Sequence, residues 1–153
     1  MMRLRRLCPS ADRDTIRATF HDPAVWESMR QDSLPFGEWE PPAGVTTMGV
    51  YENDAYLGCF WMVPVSSCVA AAHVAMLPQG YGRAVDAANL FFDWLWHETP
   101  YCMLIAEVEV GNRLAQSLVQ KVGMVPCGTR KDAFVRDGVS KHLRLFGRLK
   151  EGV

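Results

Sequence analysis

The reading turns on residues 68–84: Cys68-Val69-Ala70-Ala71-Ala72-His73-Val74-Ala75-Met76-Leu77, followed by Pro78-Gln79-Gly80-Tyr81-Gly82-Arg83-Ala84. In the first ten residues, Val69, Ala71, His73, Ala75 and Leu77 share one face, and Ala70, Ala72, Val74 and Met76 share the other. Both faces are largely apolar, which predicts a central strand. A turn follows at Pro78. From Arg83 to about His97 the pattern is helical, with Leu90, Phe91, Trp94 and Leu95 as the buried stripe. The first N–H groups of a helix are unpaired and carry partial positive charge, and Gly80 and Gly82 let a ligand approach them. The turn is therefore a candidate phosphate site.

Upstream, Arg3 to Leu7 reads as a short edge strand, ending at Pro9 and Ser10, which with Asp12 can cap a helix. Arg13 to His21 places Ile16 and Phe20 on one face. Asp22 caps a second helix with Pro23 at its first position and Val25, Trp26 and Met29 as its apolar stripe. Ser33 to Gly44, with Pro35, Gly37, Pro41 and Pro42, is a loop. Thr46 to Tyr51 and Tyr56 to Val65 form a hairpin across Glu52-Asn53-Asp54. Downstream come a strand from Tyr101 to Val110, a break at Gly111-Asn112, a helix from Arg113 to Val122 and a stop at Gly123. Phe134-Val135 and Leu143 to Leu149 close the chain as a hairpin across Arg136-Asp137-Gly138. The predicted order is βααβββαβαββ, an α/β (α+β) fold around a mixed, mostly antiparallel sheet.

Three phosphate-binding patterns compete for the glycine-rich turn. No Gly-Lys-Ser/Thr follows, which excludes a P-loop. A dinucleotide fingerprint would meet Val85 where a small residue belongs, and the preceding hairpin is antiparallel. The third pattern, Gln/Arg-x-x-Gly-x-Gly/Ala, is satisfied by Gln79, Gly82 and Ala84. On this motif, and on Asn112-x-x-Ala115 followed by Lys121-x-Gly123-Met124, the chain resembles the GNAT superfamily of N-acetyltransferases over nearly its whole length. Met124 stands where that family usually has Phe. Residues 73–83 are most similar to ribosomal-protein-acetylating and phage-encoded members.

The resemblance implies acetyl-CoA as cosubstrate, bound where the fourth and fifth strands splay apart. It implies backbone contacts from Val74, Met76 and Leu77 to the pantetheine arm, and a pyrophosphate held by the amides of Gln79, Gly80, Tyr81, Gly82, Arg83 and Ala84. Asn112 would touch the pantetheine or adenine side, and an N–H near Met76 would stabilise the oxyanion. The acceptor would be an amine of a small molecule or of a protein N-terminus. His73, near the expected acceptor mouth, reads equally as a general base and as a hydrogen-bonded core histidine. Glu107 and Glu109 point to one face and could serve the acceptor, or could form salt bridges. The family's usual Tyr acid is replaced by Val119, leaving Ser117 and Tyr81 as nearby alternatives. Trp39, between Glu38 and Glu40, is a candidate for an acceptor-pocket wall, its acidic neighbours suiting a cationic amine.

Composition supports a single domain over residues 1–153, with 49% hydrophobic and 22% charged residues. Sixteen Lys and Arg against seventeen Asp and Glu supply no basic field for nucleic acid. The longest apolar run, Tyr56 to Val65, is too short to span a membrane. The basic N-terminus lacks the apolar segment of a signal peptide, so the cytoplasm is the expected setting. The five cysteines are read as reduced, buried core residues, and no metal site is expected. The apolar final hairpin could pair between subunits as an exposed edge. Two alternatives to an acetyltransferase are a catalytically silent binding or structural protein, such as a phage component, and a nucleotide-binding module using the same turn.

Overall fold

In the computed structural model, which describes Met1–Val153, the chain folds around one seven-stranded sheet in the order β1-β2-β3-β4-β5-β7-β6. The strands are β1 (Met2–Arg6), β2 (Thr46–Glu52), β3 (Ala55–Pro64), β4 (Val69–Met76), β5 (Met103–Glu109), β6 (Val125–Arg136) and β7 (Val139–Leu149). The helices are α1 (Arg13–His21), α2 (Pro23–Met29), α3 (Ala84–Glu98) and α4 (Arg113–Lys121). Every neighbouring pair is antiparallel except β4 and β5. The predicted order holds, and β4 is the middle strand.

Local chemistry sets the corners. Asn53 and Asp54 both have positive φ, as do Asp137 and Gly138, the two-residue turns whose twist suits a hairpin. Asp22 caps α2 by accepting the amides of Ala24 and Val25 at 2.9 and 3.1 Å. At the end of α4, the amides of Gly123 and Met124 donate to the carbonyls of Gln120 and Val119, with Gly123 in the left-handed region. This is a Schellman closure, and it buries Met124 beside Val119.

The sheet is covered on both faces. On one face, Phe91 and Leu95 of α3 and Val119 of α4 pack with Phe60, Leu104 and Phe146 of the sheet. On the other face, Ile16, Phe20 and Val25 of α1 and α2 pack on Tyr51, Cys59 and Trp61. Because Leu104 and Val108 belong to the first face, alternation sends Glu107 and Glu109 to the second, where His73 also lies opposite Trp61.

Three expectations are corrected. The final hairpin is longer than predicted: β6 begins at Val125, and its alternation is hidden by register shifts at Pro126/Gly128 and Arg130/Phe134. Asp12 precedes α1 but makes no cap bond. Its carboxylate instead accepts from the Cys8 amide and from Arg5. The expected turn over Pro78–Arg83 is present, as a 3-10 turn running into α3. Only Cys59 is a buried cysteine; Cys8, Cys68 and Cys127 are exposed because they sit in turns or on the bulged edge strand.

Gly58 is held at φ +148°, and a Cβ there would lie 2.4 Å from the Ala75 carbonyl oxygen. Backbone on the neighbouring strand cannot yield as a flexible side chain can. Gly58→Ala is therefore expected to destabilise the protein by about 1–3 kcal/mol, read as a lower urea midpoint with an unchanged slope.

Candidate active site

Pairing between β4 and β5 covers three positions, Val69↔Met103, Ala70↔Leu104 and Ala71↔Ile105, and then stops. Both strands continue, β4 to Met76 and β5 to Glu109, so they diverge as a wedge. The Leu77 amide donates to the Leu57 carbonyl, and the Val69 carbonyl accepts from Val65, which turns the odd-numbered peptide groups of β4 toward β3. Alternation then directs the N–H and C=O groups of Val74 and Met76 into the wedge. Neither has a strand partner there, and Val74 is 37% exposed. A row of unpaired strand peptides suits an amide-bearing extended ligand. Leu77 brings no free N–H to it, which corrects its expected role.

The wedge opens into a cleft of about 530 Å³ on the α1–α2 side. His73, Val74, Glu107 and Asn112 all line it. Ser117 does not, because it lies two residues from Val119 on α4 and Val119 is the residue turned to the cleft. Met76, Leu77 and the turn from Gln79 to Ala84 also lie outside the cleft lining.

His73 stacks on Trp61, with ring centroids 5.3 Å apart and planes 17° from parallel. Trp39 continues this wall, 5.3 Å from Trp61 and 5.2 Å from Phe20. Glu38 and Glu40, its acidic neighbours, do not line the cleft. No group of the chain hydrogen-bonds the His73 ring. It is therefore not the hydrogen-bonded core histidine of the alternative reading. Burial lowers its pKa from the ordinary imidazole value, and the nearby Glu107 charge opposes that shift in part.

Both glutamates are paired, as one of their two readings had it. Glu107 accepts from Arg130, and Glu109 accepts from Arg136 at 2.8 Å with side chains 14% and 11% exposed. Arg136 also donates to the Arg30 and Ser28 carbonyls. Asp32 accepts the amides of Asp137 and Gly138, while Arg30 pairs with Asp137. Together these bonds clasp the end of α2 to the tip of the β6–β7 hairpin and close the cleft at that end.

At the turn, the two glycines have different jobs. A Cβ on Gly80 would lie 2.9 Å from the Leu57 carbonyl oxygen, so Gly80 serves packing. A Cβ on Gly82 would meet nothing within 4 Å, which leaves the outer side of the turn open to a ligand. α3 starts without a capping side chain. The amides of Gly80 and Ala84 are already spent on the Leu77 and Tyr81 carbonyls, and the Arg83 guanidinium on Glu52 and Asp86. Fewer donors are free here than the sequence suggests. Asn112 caps α4 by accepting the Ala115 amide at 3.1 Å. Its NH2 has no partner in the chain.

No protein-family model matches the sequence, and neither does any curated protein. Solved structures do match in fold. Spermidine N-acetyltransferase from Vibrio cholerae, in complex with CoA and spermine, superposes with a TM-score of 0.81 at 16% identity, over 97% of this chain and 95% of that one. A protein named as a phosphinothricin N-acetyltransferase does so with a TM-score of 0.76 at 15% identity, over 99% of each chain. At such identities the likeness establishes the fold: the chain has the GNAT fold, a mixed sheet with four helices. No helix is long and apolar enough to cross a membrane.

Arg136→Ala strands Glu109 and cuts two ties to α2, so it is expected to cost about 3 kcal/mol in chemical denaturation. Gly82→Val should leave the melting temperature of the free protein within about 1 °C of wild type, since surface changes are nearly neutral. Gly80→Val should lower it by several degrees.

Proposed function

We propose that this protein is an N-acetyltransferase that moves an acetyl group from acetyl-CoA to the amine of a small molecule. The observation that carries the reading is the β4–β5 wedge, whose unpaired Val74 and Met76 peptides lead, at Val74, into a cleft containing a neutral His73 with no hydrogen-bond partner. The residues present fit the cosubstrate. Val74 and Met76 would hold the pantetheine arm, Asn112 would offer its NH2 to it, and the open side of Gly82 would admit the pyrophosphate to the start of α3. The neighbouring spermidine N-acetyltransferase holds CoA, which supports the same choice.

Bound acetyl-CoA supplies the acetyl group as a thioester, so that a C–N bond forms, the C–S bond breaks and the thiol leaves. The chain's own residues supply the rest. His73, kept neutral by burial, accepts the proton that an acceptor ammonium must lose before its nitrogen is nucleophilic. A wedge-facing N–H of β4, near Met76, donates to the carbonyl oxygen as charge develops there. The aromatic wall of Trp61 and Trp39 excludes water and orients the acceptor. No Tyr lines the cleft, so the sulfur leaves as a thiolate and takes its proton from solvent.

The clasp at the end of the cleft favours a small acceptor over a polypeptide threading through. The likeness to ribosomal-protein-acetylating and phage members lies in residues 73–83, of which only His73 meets the acceptor in this reading, and one base does not select among amines. Reduced thiols and acetyl-CoA suit a cytoplasmic setting. Val119 and the missing hydroxyl acid favour one second reading, a silent GNAT fold kept for binding. CoA release with any member of an amine panel would exclude it.

Thermal unfolding tests the cosubstrate. A ligand at 100 times its Kd stabilises by about 2.7 kcal/mol, which raises the midpoint by about 5 °C or more. Acetyl-CoA and CoA should do this and NAD should not, and Gly82→Val should abolish the shift. If none of the three moves the midpoint, the reading fails. His73→Gln should keep the shift but lower kcat/KM at least a hundredfold, the usual order for a lost base. Because burial lowers the His73 pKa, the acid limb of wild-type kcat/KM should lie below the range of an ordinary imidazole. That acid limb should vanish in His73→Gln.

A further inference from the structure

Building on the acetyltransferase reading, we propose that the acceptor is an apolar α-amino acid, and that Arg130 selects it by binding its carboxylate. The charges of the cleft lead there. Its acidic groups are Glu107 and Glu109, and each already faces an arginine. The Glu109–Arg136 pair is held from every side, since each Arg136 nitrogen is engaged, one by Glu109 and the other two by backbone carbonyls. A polyamine, with its several separated ammonium groups, finds no unneutralised carboxylate in this cleft to hold the distal ones.

Arg130 differs from Arg136. One of its Nη atoms donates to Glu107, its side chain is 57% exposed, and no other acceptor of the chain engages it. A guanidinium carries five donors in a rigid fork, so most of this one is unspent, and a carboxylate is the group it fits bidentately. Glu107 keeps one carboxylate oxygen, Oε1, without a partner and lies near enough to His73 to act on its charge. Cation and anion therefore stand side by side next to the base.

An α-amino acid carries its ammonium and carboxylate on one carbon, the spacing that such a contact pair complements. Its ammonium would meet Glu107 and pass a proton to His73, while its carboxylate would take the free fork of Arg130. The body of the acceptor would then enter the apolar part of the cleft, between Met29, Leu34, Trp39, Phe134 and Leu143. These walls favour an aromatic or branched side chain, and the cleft volume of about 530 Å³ suits one small molecule.

The test compares L-phenylalanine, phenethylamine and spermidine by titration calorimetry against the CoA-loaded protein and by initial acetylation rates. Phenethylamine is phenylalanine without its carboxylate, so the pair isolates the contact with Arg130. Phenylalanine should bind and react at least about tenfold better than phenethylamine, a difference in keeping with one charge-assisted bidentate contact. Spermidine should do neither. In Arg130→Ala the loss for phenylalanine should exceed the loss for phenethylamine by about tenfold, mainly through KM and Kd. Arg130→Lys, which keeps charge but not the fork, should fall between. Arg130 is exposed on a bulged edge strand, so both variants should melt as wild type does. If acetyl-CoA still raises the melting midpoint but phenethylamine or spermidine equals phenylalanine, or Arg130→Ala weakens both aromatic ligands alike, the acceptor assignment is wrong and the acetyltransferase reading stands. If acetyl-CoA does not bind, both fall together.

Discussion

The separation of β4 from β5 is the constraint on which the rest of the molecule depends. Each strand is fully held on its outer side, β4 by β3 from Gly58 to Pro64 and β5 by β7 from Met103 to Glu109. Once their own pairing ends at Ala71 and Ile105, nothing in the chain fills the gap. Unpaired peptide groups inside a sheet are unfavourable unless water or a ligand satisfies them. The fold therefore contains an open row of donors and acceptors next to the aromatic wall of buried Trp61 and half-buried His73 and Trp39. Position and chemistry are linked because the same strand, β4, supplies both the wedge peptides and His73.

The electrostatics of the cleft follow from what surrounds it. Burial keeps His73 neutral near pH 7, the state in which it can accept a proton. Arg130 and Arg136 cancel the two glutamates, so the cleft does not attract cations as its acidic residues alone would suggest. The second of these pairs also acts mechanically. Arg136, Asp137 and Gly138 at the hairpin tip are tied to Ser28, Arg30 and Asp32, so α2 and the β6–β7 hairpin form one closed end. The neighbouring structure that holds spermine shares the fold; under the acetyltransferase proposal, these ion pairs set the expectation for the acceptor.

Much of this was readable from local patterns. Asp22-Pro23, Asn53-Asp54, Asp137-Gly138 and Gly123 each act through their own backbone, so their turns and caps are visible in a few residues. The alternation from Cys68 to Leu77 announced a central strand because both of its faces are largely apolar. The start of β6 was hidden, since Pro126, Gly128 and the positive φ of Asp132 break the alternation that marks a strand. Partners distant in sequence were hidden too. Arg130 lies 23 residues from Glu107 and Arg136 lies 27 from Glu109, and no local period reports such pairs. The turn from Gln79 to Ala84 matched a phosphate motif, yet its 3-10 bonds consume amides that the motif seemed to offer. Gly80 and Gly82 look alike in sequence and separate only when β3 is placed beside one of them.

The most direct test of the central claim is residue-resolved amide hydrogen exchange by NMR, with and without CoA. Val74 and Met76 should exchange quickly in the free protein and become protected when CoA binds, while Leu77, already bonded to Leu57, should change little. CoA binding that leaves Val74 and Met76 unprotected would contradict the account, because the wedge would then not be the site.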